Sequence, residues 1–359
     1  MNDSAPSDFA AQGLYLSRLK ANNFGRSGVE ITSLAFGGTR IGNVYGQVTD
    51  LEAYAAIENA WWQGIRYFDT APHYGYGLSE RRLGAALRGH RRAAYTVSTK
   101  VGGQVEPVGS RDDPFAPPVG PRHSWDFSAE AIRRSLESSL TRLGLTWVDV
   151  VYLDVPDEHA ERALNEGYPA LEQMREEGLV TAIGACMNQP ETLIRFIGDT
   201  DIDVVLCTDV HPLLDERPLY NVVAAAQEQG VSVVIGGTFS HDLLAEPTTQ
   251  KTTAHAPPAQ LRRLSALRAI AERHGTTLSA AALATCSAHP SVAGILIDGR
   301  SYDHVNDCVR ECSAAIPVDF WRELQQKGFT PIDACARRRL AVRRAASLIS
   351  ACRTSGQVK

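Results

Sequence analysis

Three residues with complementary chemistry lie close together in the chain: Asp69, Tyr74 and Lys100. A carboxylate, a phenol and an ammonium brought to one place make a tyrosine suited to proton transfer. The ammonium favours phenolate and lowers the phenol's pKa, while the carboxylate anchors and partly neutralises the lysine. Each follows or ends an apolar run. Ile65-Arg66-Tyr67-Phe68 leads into Asp69-Thr70-Ala71-Pro72-His73-Tyr74-Gly75, and Tyr95-Thr96-Val97-Ser98-Thr99 ends in Lys100. The chain has 31 arginines but only five lysines, so a lysine closing an apolar strand stands out.

The elements that must position this trio read as alternating strands and helices, the signature of βαβ units with parallel strands. Leu19 to Phe36 reads as two short strands joined at Gly25-Arg26-Ser27-Gly28, with Glu30 to Phe36 as the first barrel strand. Asp50 caps a helical pattern through Ala53, Ile57, Ala60 and Trp61 that ends at Gly64. The runs at 65–69 and 95–100 follow, then strand candidates Val148 to Asp154, Val180 to Cys186, Val204 to Thr208, Val231 to Ile235 and Gly294 to Ile297. Helical patterns include Leu78 to Leu87, one starting at Ser128, and Ala160 to Glu177. Eight strand candidates with helices between them predict an α/β fold, a (β/α)8 TIM barrel in a single domain over residues 19–330. In such a barrel the carboxyl ends of the strands carry the chemistry, which is where the trio falls. Val101 to Trp125 is rich in Pro and Gly, lacks periodicity and exceeds the usual loop of about 4–6 residues. It reads as a long rim loop that shapes a substrate pocket, together with 238–257. Residues 1–18 read as a flexible N-terminus, and 331–359, with Arg337, Arg338, Arg339, Arg343 and Arg344 among Ala, Leu and Val, as a basic helical extension.

The run FDTAPHYGYGLSERRLGAAL, followed by STKVG, closely resembles the aldo-keto reductases, in particular the bacterial branch of aldose, fucose and pyridoxal dehydrogenase-like proteins. The resemblance extends from about Phe24 to about Gly328. It implies NADP(H) as cofactor and makes Asp69, Tyr74 and Lys100 three members of a catalytic tetrad. The fourth member is a histidine in the family, and its position here holds Asp154. An ionised carboxylate cannot donate to a substrate carbonyl, so Asp154 could do so only if burial and the charge of Asp69 kept it protonated. His159, the family's second histidine, stands further along the loop. On the cofactor side the resemblance implies that Asn188 holds the nicotinamide carboxamide. It also implies that Gly236, Gly237, Thr238, Phe239 and Ser240 wrap the pyrophosphate, and that Arg300 and Ser301 bind the adenosine 2′-phosphate. His211 stands where a tyrosine commonly stacks on the nicotinamide, Cys308 where an asparagine contacts adenine, and Asp298 adds a negative charge beside the phosphate position.

The leading expectation is therefore an NADP(H)-dependent oxidoreductase that interconverts a carbonyl and a secondary alcohol on a sugar-like or ring-bearing metabolite. The departures at Asp154 and on the cofactor side keep alternatives open. One is a barrel using Tyr74, Lys100 and Asp154 for non-redox acid/base chemistry (dehydratase, isomerase or cyclase) in specialised metabolism. Another is a non-catalytic NADP-binding regulator. Hydrophobic residues at 44% supply a large core, and a net charge of −5 gives no general pull toward nucleic acid or membrane. Seven cysteines without CxxC or His/Cys ligand spacing predict reduced thiols, no metal and the cytoplasm. Residues 1–13 carry no secretory signal, and no run reaches the ~18 apolar residues that span a bilayer. A small-molecule substrate is the expected partner, and a homo-oligomer stays open.

Overall fold

The computed structural model describes residues 19–105, 123–208, 213–214, 217–237 and 258–329. Eight strands, all pairing in parallel, close into a barrel. In chain order they are β3 (Leu34–Gly37), β4 (Tyr67–Asp69), β5 (Thr96–Val101), β8 (Val148–Asp154), β9 (Val180–Met187), β10 (Val204–Cys207), β11 (Ser232–Ile235) and β12 (Val292–Ile297). Each strand pairs with the next in the sequence, and β12 returns to β3 through Ile295↔Leu34. Helices separate most of them, including α1 (Asp50–Trp62), α2 (Leu78–Leu87), α3 (Ala129–Leu143), α4 (Tyr168–Glu176) and α5 (Pro190–Asp199). The later helices are α6 (Arg217–Gln229), α7 (Pro258–Arg273), α8 (Leu278–Cys286), α9 (Tyr302–Ser313) and α10 (Val318–Gln326).

The core follows from the period of two along each strand. Tyr67, Val150, Tyr152, Ala182, Cys186, Val204, Leu206, Val234 and Leu296 form a cluster distinct from the layer shared by the strands and helices, to which Phe36, Phe68, Val97, Val151 and Ile183 belong. The helices start where their sequences demand it. Thr49 and Glu52 make a reciprocal capping box at the start of α1, whose buried Ala53, Ala56, Ile57 and Ala60 recur at helical spacing. Ser128 accepts from the Ala131 amide at the start of α3, and Gly144 ends that helix in the left-handed region at φ 66°.

Four expectations are corrected. Glu30 to Phe36 is not one strand. Ala21–Asn23 (β1) and Glu30–Thr32 (β2) form an antiparallel hairpin, and the barrel strand begins afresh at Leu34. Ser33 lies between them and donates to the Lys20 carbonyl. The hairpin seals the amino-terminal mouth: Asn22 donates to the Ala293 carbonyl, Gly25 to the Ser232 hydroxyl, and Phe24 meets Tyr67 edge-on at 5.3 Å. Second, the presumed irregular loop 101–125 contains an antiparallel ribbon, Gly103–Val105 (β6) against His123–Trp125 (β7). Third, the single helix over 160–177 is interrupted. A 3₁₀ turn at Asp157–His159, one α-turn at Ala160–Arg162 and a π-helical stretch at Ala163–Gly167 precede α4. Fourth, several strand ends differ by a residue or two, as at Thr208, which lies beyond β10. The N-terminus 1–18 and the basic segment 331–359 lie outside the described residues. Among the described residues no helix is long and apolar enough to cross a membrane.

Candidate active site

Asp69 and Lys100 occupy adjacent strands, β4 and β5, paired through Asp69↔Ser98. The strand period turns Thr99 outward, where its hydroxyl donates to Glu80 on α2, and so sends Ser98 and Lys100 inward. Lys100 Nζ donates to Asp69 Oδ2 at 2.5 Å and to the Thr70 carbonyl at 3.0 Å. Both side chains are almost fully buried, at 2% and 1% exposure. Ser98 donates to the other oxygen, Asp69 Oδ1, at 2.6 Å. Beneath it the chain of hydroxyls continues, with Tyr67 OH 2.9 Å from Ser98 Oγ and 3.0 Å from Tyr152 OH. The hydroxyls of Ser98, Tyr67 and Tyr152 thus each have a partner, as the low-dielectric interior requires.

Tyr74 stands on the turn after β4. The Tyr74 amide closes that turn on the Ala71 carbonyl, and Gly75 follows at φ 63°, a conformation suited to glycine. A Cβ at Gly75 would come within 2.0 Å of the Gly42 carbonyl oxygen, and one at Gly42 within 2.7 Å of the Tyr74 backbone. Two glycines thus let the two loops pack backbone to backbone and fix the tyrosine. The Lys100 ammonium lies 4.9 Å from the Tyr74 ring centroid, so the three residues singled out in the sequence do meet.

The electrostatics depart from expectation at the phenol. Burial pushes the Tyr74 phenol up from its ordinary range, and the opposing pull of Lys100 does not outweigh it. The desolvated phenol therefore stays protonated, whereas the lysine alone was expected to lower it. Burial works against the Lys100 charge, but Asp69, Tyr74 and Cys186 together hold the ammonium well above its ordinary value. Burial likewise raises the Asp69 carboxyl, against the contact with Lys100 and the donation from Ser98.

Asp154 ends β8, opposite Cys186 on β9. The burial that would keep it protonated is incomplete, and an imidazole lies beside it. Its side chain is 19% exposed, and Oδ2 lies 3.3 Å from His73 Nδ1. The His73 ring is edge-on to Tyr74, with centroids 4.6 Å apart. His159 is held elsewhere, beside Phe127 at 5.9 Å and Trp125 at 6.4 Å.

The remaining candidates lie at strand ends along the same rim. Asn188 follows β9, is exposed, and accepts from the Thr208 hydroxyl beyond β10. Gly236 and Gly237 follow β11, Gly237 at φ 73°. Arg300 is exposed after β12, and Ser301 caps α9 by accepting from the His304 amide. Asp298 is buried, and its Oδ1 lies 2.4 Å from where a Cβ on Gly37 would be. A Cβ at Gly37 on β3 would therefore force that carboxylate to shift. Cys308 is buried beside His304, and burial pushes its thiol up to about 12. His211, Thr238, Phe239 and Ser240 lie outside the described residues. Among the described residues no cluster of His, Cys, Asp and Glu could hold a metal ion.

Ser98, Tyr67, Tyr152 and His73 join the site only through the fold. A signal was present for the hydroxyls: Tyr67, Ser98 and Tyr152 each stand two residues before Asp69, Lys100 and Asp154, on the same face of the strand.

The aldo/keto reductase family model matches residues 33–328. D-threo-aldose 1-dehydrogenase of Pseudomonas sp. is 33% identical over 317 residues, covering 85% of this chain and 96% of that protein. Pyridoxal 4-dehydrogenase of Microbacterium luteolum is 32% identical over 340 residues, covering 88% of this chain and 99% of the relative. Among solved structures, the holo form of an aldo-keto reductase from Bacillus halodurans superposes with a TM-score of 0.69 at 25% identity. That match covers 86% of this chain and 96% of the other. Fold and sequence agree, and the chain is an oxidoreductase belonging to the aldo/keto reductase family.

Proposed function

We propose that this oxidoreductase is NADP(H)-dependent and interconverts a carbonyl and a secondary alcohol on a sugar-like or ring-bearing metabolite, with Tyr74 as proton donor or acceptor. The observation that carries the reading is the Lys100 ammonium, 4.9 Å from the Tyr74 ring and bound to Asp69 at 2.5 Å. A protonated, desolvated phenol beside a fixed positive charge can release its proton to a carbonyl oxygen, because the ammonium stabilises the phenolate that remains. Asp69 keeps Lys100 in place, and the donation from Ser98 keeps Asp69 in place. The two dehydrogenase relatives, named for an aldose and for pyridoxal, motivate the substrate class.

The rim residues fit a dinucleotide laid across the strand ends. Asn188 offers an exposed neutral amide, and Gly236 and Gly237 let a phosphate approach the backbone. Arg300 presents an exposed guanidinium at the start of α9, where the helix dipole also favours an anion. The carboxylate of Asp298 is buried against Gly37, so its charge is withdrawn from solvent. When bound, the cofactor would supply or accept the hydride. The acid/base-only alternative draws no support from the dehydrogenase relatives.

The test is Tyr74→Phe in the full chain, with NADPH binding followed by fluorescence. Turnover of aldoses should fall by roughly 10³-fold or more, with NADPH affinity unchanged. Turnover kept in the variant, or no NADPH binding by the wild type, overturns the proposal.

A further inference from the structure

The position that carries a histidine in the resembled family holds Asp154, yet an imidazole lies directly beside it. Asp154 Oδ2 meets His73 Nδ1 at 3.3 Å, and the His73 ring stands edge-on to Tyr74 with centroids 4.6 Å apart. His73 is held on the turn that the Tyr74 amide closes on the Ala71 carbonyl, so imidazole and phenol are set by one piece of backbone.

We propose that His73 is a catalytic residue, oriented by Asp154, whose imidazole hydrogen-bonds the substrate oxygen that exchanges a proton with Tyr74. This rests on the proposed role of Tyr74 above. The donor has moved from the end of β8 to the loop after β4, and the carboxylate at the vacated position has become its holder. With both ring nitrogens protonated, Nδ1–H donates to Asp154 and Nε2–H, on the ring's far side, donates to the substrate oxygen. A carboxylate fixing the ring of a working histidine in this way is a recurrent arrangement.

Accessibility agrees with the assignment. The His73 and Asp154 side chains are 33% and 19% exposed, whereas Asp69 and Lys100 are at 1% and 2%. A substrate entering from the rim can reach the first pair but not the second. His159, which matches the second histidine of the resembled family, packs beside Phe127 and Trp125 instead. In the reduction the carbonyl carbon gains the hydride with its two electrons, the C=O π bond breaks, and the oxygen takes the Tyr74 proton to become a hydroxyl. His73 keeps its own protons throughout and lowers the barrier only by hydrogen bonding to the oxygen as charge develops there. Asp154 acts through His73 and is a positioning residue.

The test uses the full chain with an aldose and NADP⁺, comparing His73→Gln, Asp154→Asn, the double variant and Tyr74→Phe. Loss of one well-placed donor costs on the order of 10²-fold in kcat, so His73→Gln should lose about that much, with KM for the aldose and NADPH affinity changed by less than about threefold. Asp154→Asn should lose roughly tenfold, and the double variant no more than His73→Gln alone, because the two act as one unit. Asp154→His placed in the His73→Gln background should recover part of the lost kcat. In the cofactor-free protein labelled with ¹⁵N-histidine, the His73 Nδ1 resonance should move in Asp154→Asn. A kcat for His73→Gln within about twofold of wild type, while Tyr74→Phe is inactive, overturns this proposal and leaves the role of Tyr74 standing. Multiplicative losses in the double variant overturn the coupling to Asp154. Activity retained in Tyr74→Phe removes the reading on which both depend.

Discussion

Replacing Lys100 with methionine should destabilise the protein in a pH-dependent way, and the structure sets both sign and size. The substitution removes the ammonium from a pair whose members are 2% and 1% exposed, leaving a buried carboxylate whose other oxygen accepts from Ser98. Stranding one partner of a buried ion pair costs about 3–5 kcal/mol near neutral pH. With Lys100 gone, burial and the neighbouring charge of Asp154 raise the Asp69 carboxyl with little opposition. An acid whose folded pKa exceeds its unfolded value of about 3.9 binds its proton more tightly in the native state, so native stability is lost as pH rises through that window. The slope is at most about 1.4 kcal/mol per pH unit, so the penalty relative to wild type should shrink by up to about 2.7 kcal/mol between pH 7 and pH 5. Urea unfolding followed by tryptophan fluorescence at both pH values measures it. Adding Asp69→Asn should recover much of the loss at pH 7 and flatten its pH dependence. An equal penalty at the two pH values, or no recovery in the double variant, would refute the idea that an uncompensated Asp69 charge is the cause.

Three further outcomes follow from the same geometry. Burial holds the Tyr74 phenol above its ordinary value, so in the His73→Gln background, where no imidazole titrates beside the phenol, reduction should stay flat through neutral pH and fall only above about pH 10, while oxidation should rise with pH over the same range. A Tyr74-dependent loss of reduction beginning below about pH 8 would contradict this. Gly75→Ala puts a Cβ 2.0 Å from the Gly42 carbonyl oxygen at φ 63°. It should cost about 1–3 kcal/mol and depress turnover by moving Tyr74, as read by thermal unfolding and steady-state rates. Arg300→Ala should raise the KM for NADP⁺ by roughly tenfold or more and leave that for NAD⁺ nearly unchanged, since a guanidinium–phosphate contact is charge-assisted. An equal effect on both nucleotides would remove Arg300 from the phosphate.

The barrel was readable because its signals are local and periodic. Runs such as Val148 to Asp154 and Val180 to Cys186 are short and β-branched, and they alternate with amphipathic helices, which leaves little besides parallel pairing. Asp69 and Lys100 could be placed because a charged residue closing an apolar strand has few places to go except the rim. What escaped was set by tertiary contact. Glu30 to Phe36 looks continuous, and only the pairing of Ala21–Asn23 with Glu30–Thr32 splits it. The raised phenol of Tyr74 depends on how densely its surroundings pack, which no residue spacing reports. The contact of His73 with Asp154 joins positions far apart in sequence, and a histidine within a recognised string draws no notice until its partner is seen.

The hydroxyl relay below Asp69 has a built-in direction. An ionised carboxylate can only accept, so the Ser98 hydrogen is committed to Asp69; Tyr67 must then give its hydrogen to Ser98, and Tyr152 must give its own to Tyr67. All three O–H dipoles align head to tail toward one anion, each polarising the next. The barrel floor thus serves Asp69 as a dry solvent cage whose orientation is frozen by covalent structure. Ser98→Ala would cut that cage at its first link, leaving the Tyr67 hydroxyl without its acceptor and the carboxylate oxygen without its donor.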